Sequence, residues 1–254
     1  NKTLKFSQEY LEELERRSGI SGLPEVEIGP NGDYVYYGNT DWYKELYKKS
    51  TFATDHNISV SGSSGKTSFY VTGRYYGQDG LFRYNTDDYK LFNMRAKGAV
   101  QVFDWLKVED NLEYSSMTYH NPLNEGGGIW RNIADEGHIL APMFNPDGTL
   151  THSAAYTVGD FWYGKNGIDT EQRILKNTVS ATASFLKDKL RIKGDFTFQN
   201  NDNDQTQIRV PVPFSRRPGV IEYVGSSKND IQNTNKTTSY LASNIYGEYE
   251  DTFK

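Results

Sequence analysis

Seven stretches of this chain alternate apolar and polar residues with a period of two, and the connections between them alternate between short and long. The runs fall at 56–61, 67–78, 89–102, 106–119, 173–185, 190–200 and 237–250. "GSSGK" (62–66), "FDW" (103–105) and "KDK" (187–189) are short, whereas "QDGLFRYNTDD" (78–88) and the segments 120–172 and 201–236 are long. In an up-and-down antiparallel sheet, this pattern puts every tight turn at one end and every long loop at the other. Transmembrane barrels are built in that way, and a soluble sandwich has no physical reason to segregate its loops.

Each run has two chemically distinct faces. In "HNISVSGSSGKTSFYVTGRYYG" (56–77), Ile58, Val60, Phe69, Val71, Gly73 and Tyr75 fall on one side, and Asn57, Ser59, Tyr70, Thr72 and Arg74 on the other. The later runs repeat the division. Phe92, Met94, Val100, Val179, Ile192, Phe196 and Phe198 oppose Arg95, Lys97, Thr178, Arg191, Lys193 and Asp195. Arg74, Arg95, Lys97, Arg191, Lys193 and Asp195 are therefore expected to face a wet lumen, and the apolar side to face hydrocarbon. A soluble sheet would turn this inside out and make the apolar face its core. Several runs exceed the usual strand length of about 5 to 6 residues, and Tyr and Phe cluster near their ends; both features favour the barrel. Asp110 is the discordant residue, because it shares a face with Leu106, Val108, Leu112 and Tyr114.

Composition removes other classes. Hydrophobic residues make up only 36% and mean hydropathy is −0.74, yet 19 tyrosines separate the chain from disordered sequences, which are poor in aromatics. A net charge of −5 with scattered Lys and Arg argues against nucleic acid as a partner. Cysteine is absent, which removes disulfides, thiolate metal sites and a cysteine nucleophile. No run of 18 apolar residues exists, so a membrane helix is excluded and a membrane strand is not. The charged opening "NKTLKFSQEYLEELERR" is no signal peptide, and the chain is expected to be an internal piece of something longer.

Residues 1–55 read as a loop region with two short helices. One runs from about Gln8 to Arg17, capped by Ser7, supported by Glu12–Arg16 and Glu13–Arg17 pairs and stopped at Gly19; the other is capped by Thr40 or Asp41, with Trp42 and Leu46 one turn apart. Residues 56–254 form the β portion, with long loops at 120–172 and 201–236.

At this level of detail a family likeness emerges. "NTDWYKELYKK", "HNISVSG", "KTSFYVTGRYYGQDG", "DWLKV" and "FNPDGT" (144–149), in this order, resemble the SusC/RagA-like TonB-linked outer-membrane proteins of Gram-negative bacteria. The likeness covers residues 39–119 well and the remainder through architecture. It implies a 22-stranded barrel plugged by another part of the protein. This chain would supply about seven of those strands, as an all-β, antiparallel, up-and-down transmembrane segment. It further implies TonB-powered import of large nutrients, usually oligosaccharides and sometimes peptides. A SusD-like surface lipoprotein would close the mouth, TonB would contact a part outside this chain, and a dimer of such pairs is compatible with the likeness. No cofactor or enzymatic activity is implied.

Recognition would then fall to the long loops. "IWRN" offers Trp130 and Arg131, and "GDFWYGKNG" offers Asp160, Phe161, Trp162 and Tyr163. Flat rings can stack on sugar faces while the polar groups meet hydroxyls, although each ring could equally pack its loop against the barrel rim or the lipoprotein. Arg216 and Arg217 suit an anionic ligand or a loop anchor. Catalysis finds little support: His56, His120, His138 and His152 lack zinc-helix spacing, "NNDNDQ" (200–205) lacks the Gly and Glu of a calcium loop, and "GGG" (126–128) lacks nucleotide-site context. The rival reading is a soluble or surface-exposed β carbohydrate-binding module without transport activity.

Overall fold

A computed structural model describes residues 7–123 and 129–251. The chain opens with helix α1 (Gln8–Arg17), a ribbon of β1 (Val26–Ile28) and β2 (Tyr34–Tyr36), and the short helix α2 (Trp42–Leu46). Ser7 Oγ accepts from the Tyr10 N–H at 3.2 Å and caps α1, and Asp41 rather than Thr40 caps α2, accepting from the Lys44 N–H at 3.2 Å. One expected helix pair is replaced. Arg16 turns to Glu13 at 2.6 Å, which Arg17 also meets at 2.7 Å, while Gln8 takes Glu12.

From Ala53 onward the period-two pattern takes over. Strands β3 (Ala53–Ser64), β4 (Thr67–Asp79), β5 (Asp88–Phe103) and β6 (Leu106–Pro122) are followed by a helical segment with α3 (Ile129–Glu136), α4 (His152–Ala154), a π turn (Ala155–Gly159) and α5 (Asp160–Tyr163). Then come β7 (Gly167–Phe185), β8 (Leu190–Arg209), the hairpin of β9 (Val212–Arg217) and β10 (Val220–Val224), and β11 (Asp230–Tyr249). Seven strands join in one antiparallel sheet of order β11-β8-β7-β6-β5-β4-β3, a meander interrupted only by the inserted hairpin. The tight turns include Gly65 at φ 52° and, between β7 and β8, the left-handed residues Leu186, Lys187 and Asp188.

The seven expected runs are the seven strands, but three reach further than expected. β7 starts at Gly167, β8 continues to Arg209 and β11 starts at Asp230, so the long connections shrink to 123–166 and 210–229. In these extensions both faces are polar: Glu171, Arg173, Asp202 and Asp204 lie on one side, and Gln172, Asn201 and Asn203 on the other. Alternation reports a difference of solvent between faces, and it vanishes where water bathes both. The backbone ladder continues regardless.

The buried apolar cluster lies entirely outside this sheet. Trp42 and Leu46 from α2, Ile133, Leu150, Ala154, Val158 and Phe161 from the β6–β7 connection, and Val212, Phe214 and Val224 from the β9–β10 hairpin pack together. The N-terminal segment, which reads in sequence as a loop region with two short helices, therefore supplies part of a core. Phe82 from the β4–β5 connection stacks on Phe161 at 4.5 Å between ring centroids. The long connections and the N-terminal segment together build one cap at the long-loop end of the meander.

Candidate functional site: a lipid-facing band beneath a loop cap

The register assigns every strand residue to a face, because residues directly opposite one another share a side. One row reads Val60–Val71–Ala96–Leu112–Asn177–Phe198–Leu241, and the row nearer the tight turns contains Val100–Val108–Ala181–Gly194–Ile245. On this face apolar character runs from Leu106 to Tyr114 on β6, from Leu190 to Phe198 on β8 and from Leu175 to Phe185 on β7. These spans are the roughly 9 to 11 residues that a tilted strand needs to cross a hydrocarbon layer. Phe103, Trp105 and Phe185 stack in a row at the tight-turn end, with centroids 5.7 and 5.9 Å apart. Tyr75, Phe92 and Tyr114 mark the other end, giving the band an aromatic girdle at each edge.

These side chains have no protein cover. Phe196 is 52% exposed, Ile58 71% and Ile245 83%. Leaving a large apolar side chain in water forgoes about 1.5–3 kcal/mol relative to burial, and the band contains many of them. Lipid recovers that energy. Asp110 keeps its place among them through a neighbour on the same face: Asn177 Nδ2 donates to its carboxylate at 2.7 Å, and the residue opposite it on β5 is Gly98.

The six charged residues expected toward a lumen share the other face. Arg74 pairs with Asp55 at 2.8 Å, Arg95 with Glu113 at 3.1 Å, and Arg191 with Glu248 at 3.2 Å, while Asn244 donates to Asp195 at 3.0 Å. Lys97 opposes Asn111, and Lys193 opposes Thr182.

Two buried asparagines hold the cap together. Asn145, in the "FNPDGT" turn, donates to Thr149 Oγ1, Leu150 O and Ser215 O, and accepts from the Tyr36 hydroxyl at 3.0 Å. Asp147 of the same turn accepts from the Tyr34 hydroxyl at 2.9 Å, so this motif clasps β2. Asn166 donates to Asp160 and to Val210 O, accepts from the Val210 N–H at 2.5 Å, and its backbone carbonyl accepts from Asn85. Three distant loops meet at that one residue.

The loop residues nominated from sequence divide accordingly. Asp160 and Phe161 are buried; the first is fixed by Asn166 and the second is stacked on Phe82. Trp162 is 41% exposed, with Phe144 edge-on at 5.2 Å, and the Tyr163 ring carries the Lys165 ammonium at 4.5 Å. Trp130 and Arg131 fall on α3, and their side chains lie outside the described residues, as does "GGG". Arg216 pairs with Glu222 at 3.2 Å and Arg217 with Asp33 at 3.0 Å, both across loop elements. A cavity of about 340 Å³ opens in the cap, lined by Tyr10, Tyr34, Tyr36, His152, Ser153 and Arg216 among others. Its walls come from segments far apart in sequence, and no local motif announces it. Burial pushes the His152 imidazole below its ordinary value, and the Arg216 guanidinium adds to the shift. Among the described residues no three His, Cys, Asp or Glu gather closely enough to hold a metal ion.

A meander with an exposed apolar band, aromatic girdles, tight turns at one end and a loop cap at the other is a segment of a transmembrane β-barrel. Comparison with known proteins agrees. TonB-dependent receptor P3 of Formosa agariphila is 25% identical over 224 residues, covering 81% of this chain and 21% of the relative; TonB-dependent receptor P26 of the same organism is 25% identical over 120 residues, 47% of this chain and 11% of that protein. No family model matches. The RagAB peptide importer superposes with a TM-score of 0.53 in both its closed-closed and open-open states, at 16% and 17% identity, covering 94% of this chain and 33% of that chain. The chain thus spans about a fifth or less of the length of the curated relatives it matches. The resemblance drawn from the motifs is borne out: the chain is similar in sequence to TonB-dependent receptors and in fold to a barrel portion of the RagAB importer.

Proposed function

We propose that this chain forms part of an outer-membrane importer of large nutrients, with oligosaccharides as cargo, powered through TonB by a part of the protein outside the chain. The observation that carries the reading is the uncovered apolar band, 9 to 11 residues tall on β6 to β8 and bounded by aromatic girdles. It needs lipid, and an open sheet edge in lipid needs further strands to close it. The other face then lines the lumen, with Arg74, Arg95, Lys97, Arg191, Lys193 and Asp195 in water. The cap stands outside the cell and meets a SusD-like lipoprotein. Trp130, Arg131, Trp162 and Tyr163 are ligand contacts in this reading, and Asp160 and Phe161 hold their loop in place. A peptide cargo is the second reading, favoured by the fold likeness to a protein described as a peptide importer.

Two measurements test this. The complete protein should leave membranes only with detergent; release by salt or alkali would instead identify a soluble or surface-exposed carbohydrate-binding module. Trp162→Ala should lower uptake at limiting oligosaccharide by about two- to tenfold, the worth of one stacked ring, with insertion unchanged. Undiminished uptake would remove Trp162 from the ligand contacts.

A further inference from the structure

Beyond the apolar band the strands continue with water available to both sides, so solvent gives no reason for the two faces to differ. They differ sharply. Across β5 to β8, the three rows of the lumen face that begin at Tyr89, Leu91 and Asn93 contain twelve residues and no charge. In the three interleaved rows of the opposite face, seven of twelve residues are charged: Asp88, Asp169, Glu171, Asp202 and Asp204, with Lys90 and Arg173. The inner rows carry a specific chemistry instead. Tyr76, Tyr89 and Tyr119 form a continuous aromatic row across β4, β5 and β6, with centroids 6.0 and 6.2 Å apart. Beside it, Gln172, Asn203 and Gln205 line β7 and β8, with Gln205 two strands from Tyr119 in the same row. Gln172 donates weakly to Asn201 at 3.4 Å, and the Asn203 and Gln205 amides bond to nothing else among the described residues. Flanking charges on this face are the Arg74–Asp55 pair, closed at 2.8 Å, Lys236 on β11, Arg209 opposite Asp230 at the upper end, and, in the row below, Lys176 beside the Arg95–Glu113 pair, closed at 3.1 Å.

We infer that this wall is a binding subsite for an uncharged, hydroxyl-rich ligand, a neutral oligosaccharide. The assignment rests on the barrel reading above, which makes this face the lumen. A sugar ring offers two kinds of surface: apolar C–H faces, which settle on aromatic rings, and hydroxyls that donate and accept at once. A primary amide also does both, with an acceptor oxygen and two donor hydrogens, so free amides serve a hydroxyl in either role. A uronate or a charged peptide would want fixed counter-charge, and these three rows supply none between β5 and β8. The carboxylates level with these three rows, Asp88, Asp169, Glu171, Asp202 and Asp204, sit on the outer side, and the nearest one below on the lumen face, Glu113, is closed on Arg95 at 3.1 Å.

The test uses the complete protein, purified in detergent, with four probes of equal length: a pool of neutral gluco-, manno-, galacto- and fructo-hexasaccharides, hexagalacturonate, an uncharged hexapeptide and a lysine-containing hexapeptide. The neutral pool should be retained in preference to the other three. Tyr89→Ala with Tyr119→Ala should weaken that retention roughly tenfold or more, two stacked rings' worth, while Tyr119→Phe stays within about twofold. Gln205→Leu, which leaves the rings in place, should weaken it several-fold. Heat-modifiable gel migration equal to wild type establishes that each variant is a folded barrel. Retention of the uronate or of either peptide above every neutral saccharide overturns the subsite, as does failure of the wild type to retain the neutral pool, or an unchanged affinity in folded Tyr and Gln205 variants. These outcomes leave the importer reading intact. That reading fails separately, when the complete protein stays soluble without detergent.

Discussion

The cap and the sheet beneath it contain the same apolar residue types in opposite circumstances. In the cap, Leu46, Phe161 and Phe214 are at most 2% exposed; in the sheet, Phe69, Phe196 and Ile245 are 52%, 52% and 83% exposed. The cap behaves as ordinary protein, with side chains from four separate segments closing over one another and asparagines joining the backbones between them. The sheet hides nothing within itself and depends on its surroundings for the same service. Stability in one region is a property of its contacts; in the other it belongs to the medium.

Four perturbations bear on that contrast. The largest effect should come from Phe161→Ala, which empties a packed position against Phe82 and costs about 3–5 kcal/mol. Protease added to intact cells should then cleave within 123–166, while the barrel keeps its heat-modifiable mobility. If insertion were lost as well, the two regions would not be separable. Next comes Val71→Arg in the middle of the apolar band, about 2–4 kcal/mol in a lipid-facing position. It should reduce the assembled protein in outer membranes, whereas Thr72→Arg, one residue along and on the other face, should leave the amount unchanged. Equal effects from both would remove the distinction between the faces. Asn166→Ala deprives the half-buried Val210 N–H of its acceptor and the buried Asp160 of its donor, about 1–3 kcal/mol. Amide exchange at Val210 should accelerate, with exchange in β7 near Ala181 unaffected.

The smallest effect is one of pH. Burial holds His152 below its ordinary 6.5 in the folded cap, so the unfolded segment takes up the proton first. Cap stability should therefore be highest above about pH 6.5, fall as pH drops through that value, and level off below the folded pKa. Loop proteolysis compared between pH 7.5 and pH 5 reads this directly. His152→Gln should flatten the difference.

The sheet was legible in the sequence because a bilayer writes a period-two signature into each strand. Phe92, Val100, Phe196 and Phe198 declared one face, Arg95 and Lys193 the other, and the short and long connections gave the topology. What stayed hidden follows from the same physics. "NNDNDQTQIR" reads as a solvated loop because both of its faces are wet, yet it is paired strand through Arg209. The β9–β10 hairpin was obscured by Pro211 and Pro213, which punctuate a run that otherwise alternates poorly. The cap core was illegible for a different reason. Trp42, Phe161 and Phe214 come from the N-terminal segment and two connections, and only the completed meander brings them to one end. No spacing rule encodes such a meeting. Asp110 was flagged from sequence as misplaced, and only the register reveals Asn177 as its partner.

The polar extensions of β7, β8 and β11 also set a height. From Phe198, at the upper edge of the apolar band, β8 climbs eleven residues to Arg209, which at about 3.3 Å per residue and a 45° tilt raises its end roughly 25 Å above the band. Anything approaching along the plane of the band meets the flank of a charged parapet, and the far face of the sheet is open to it only over the rim.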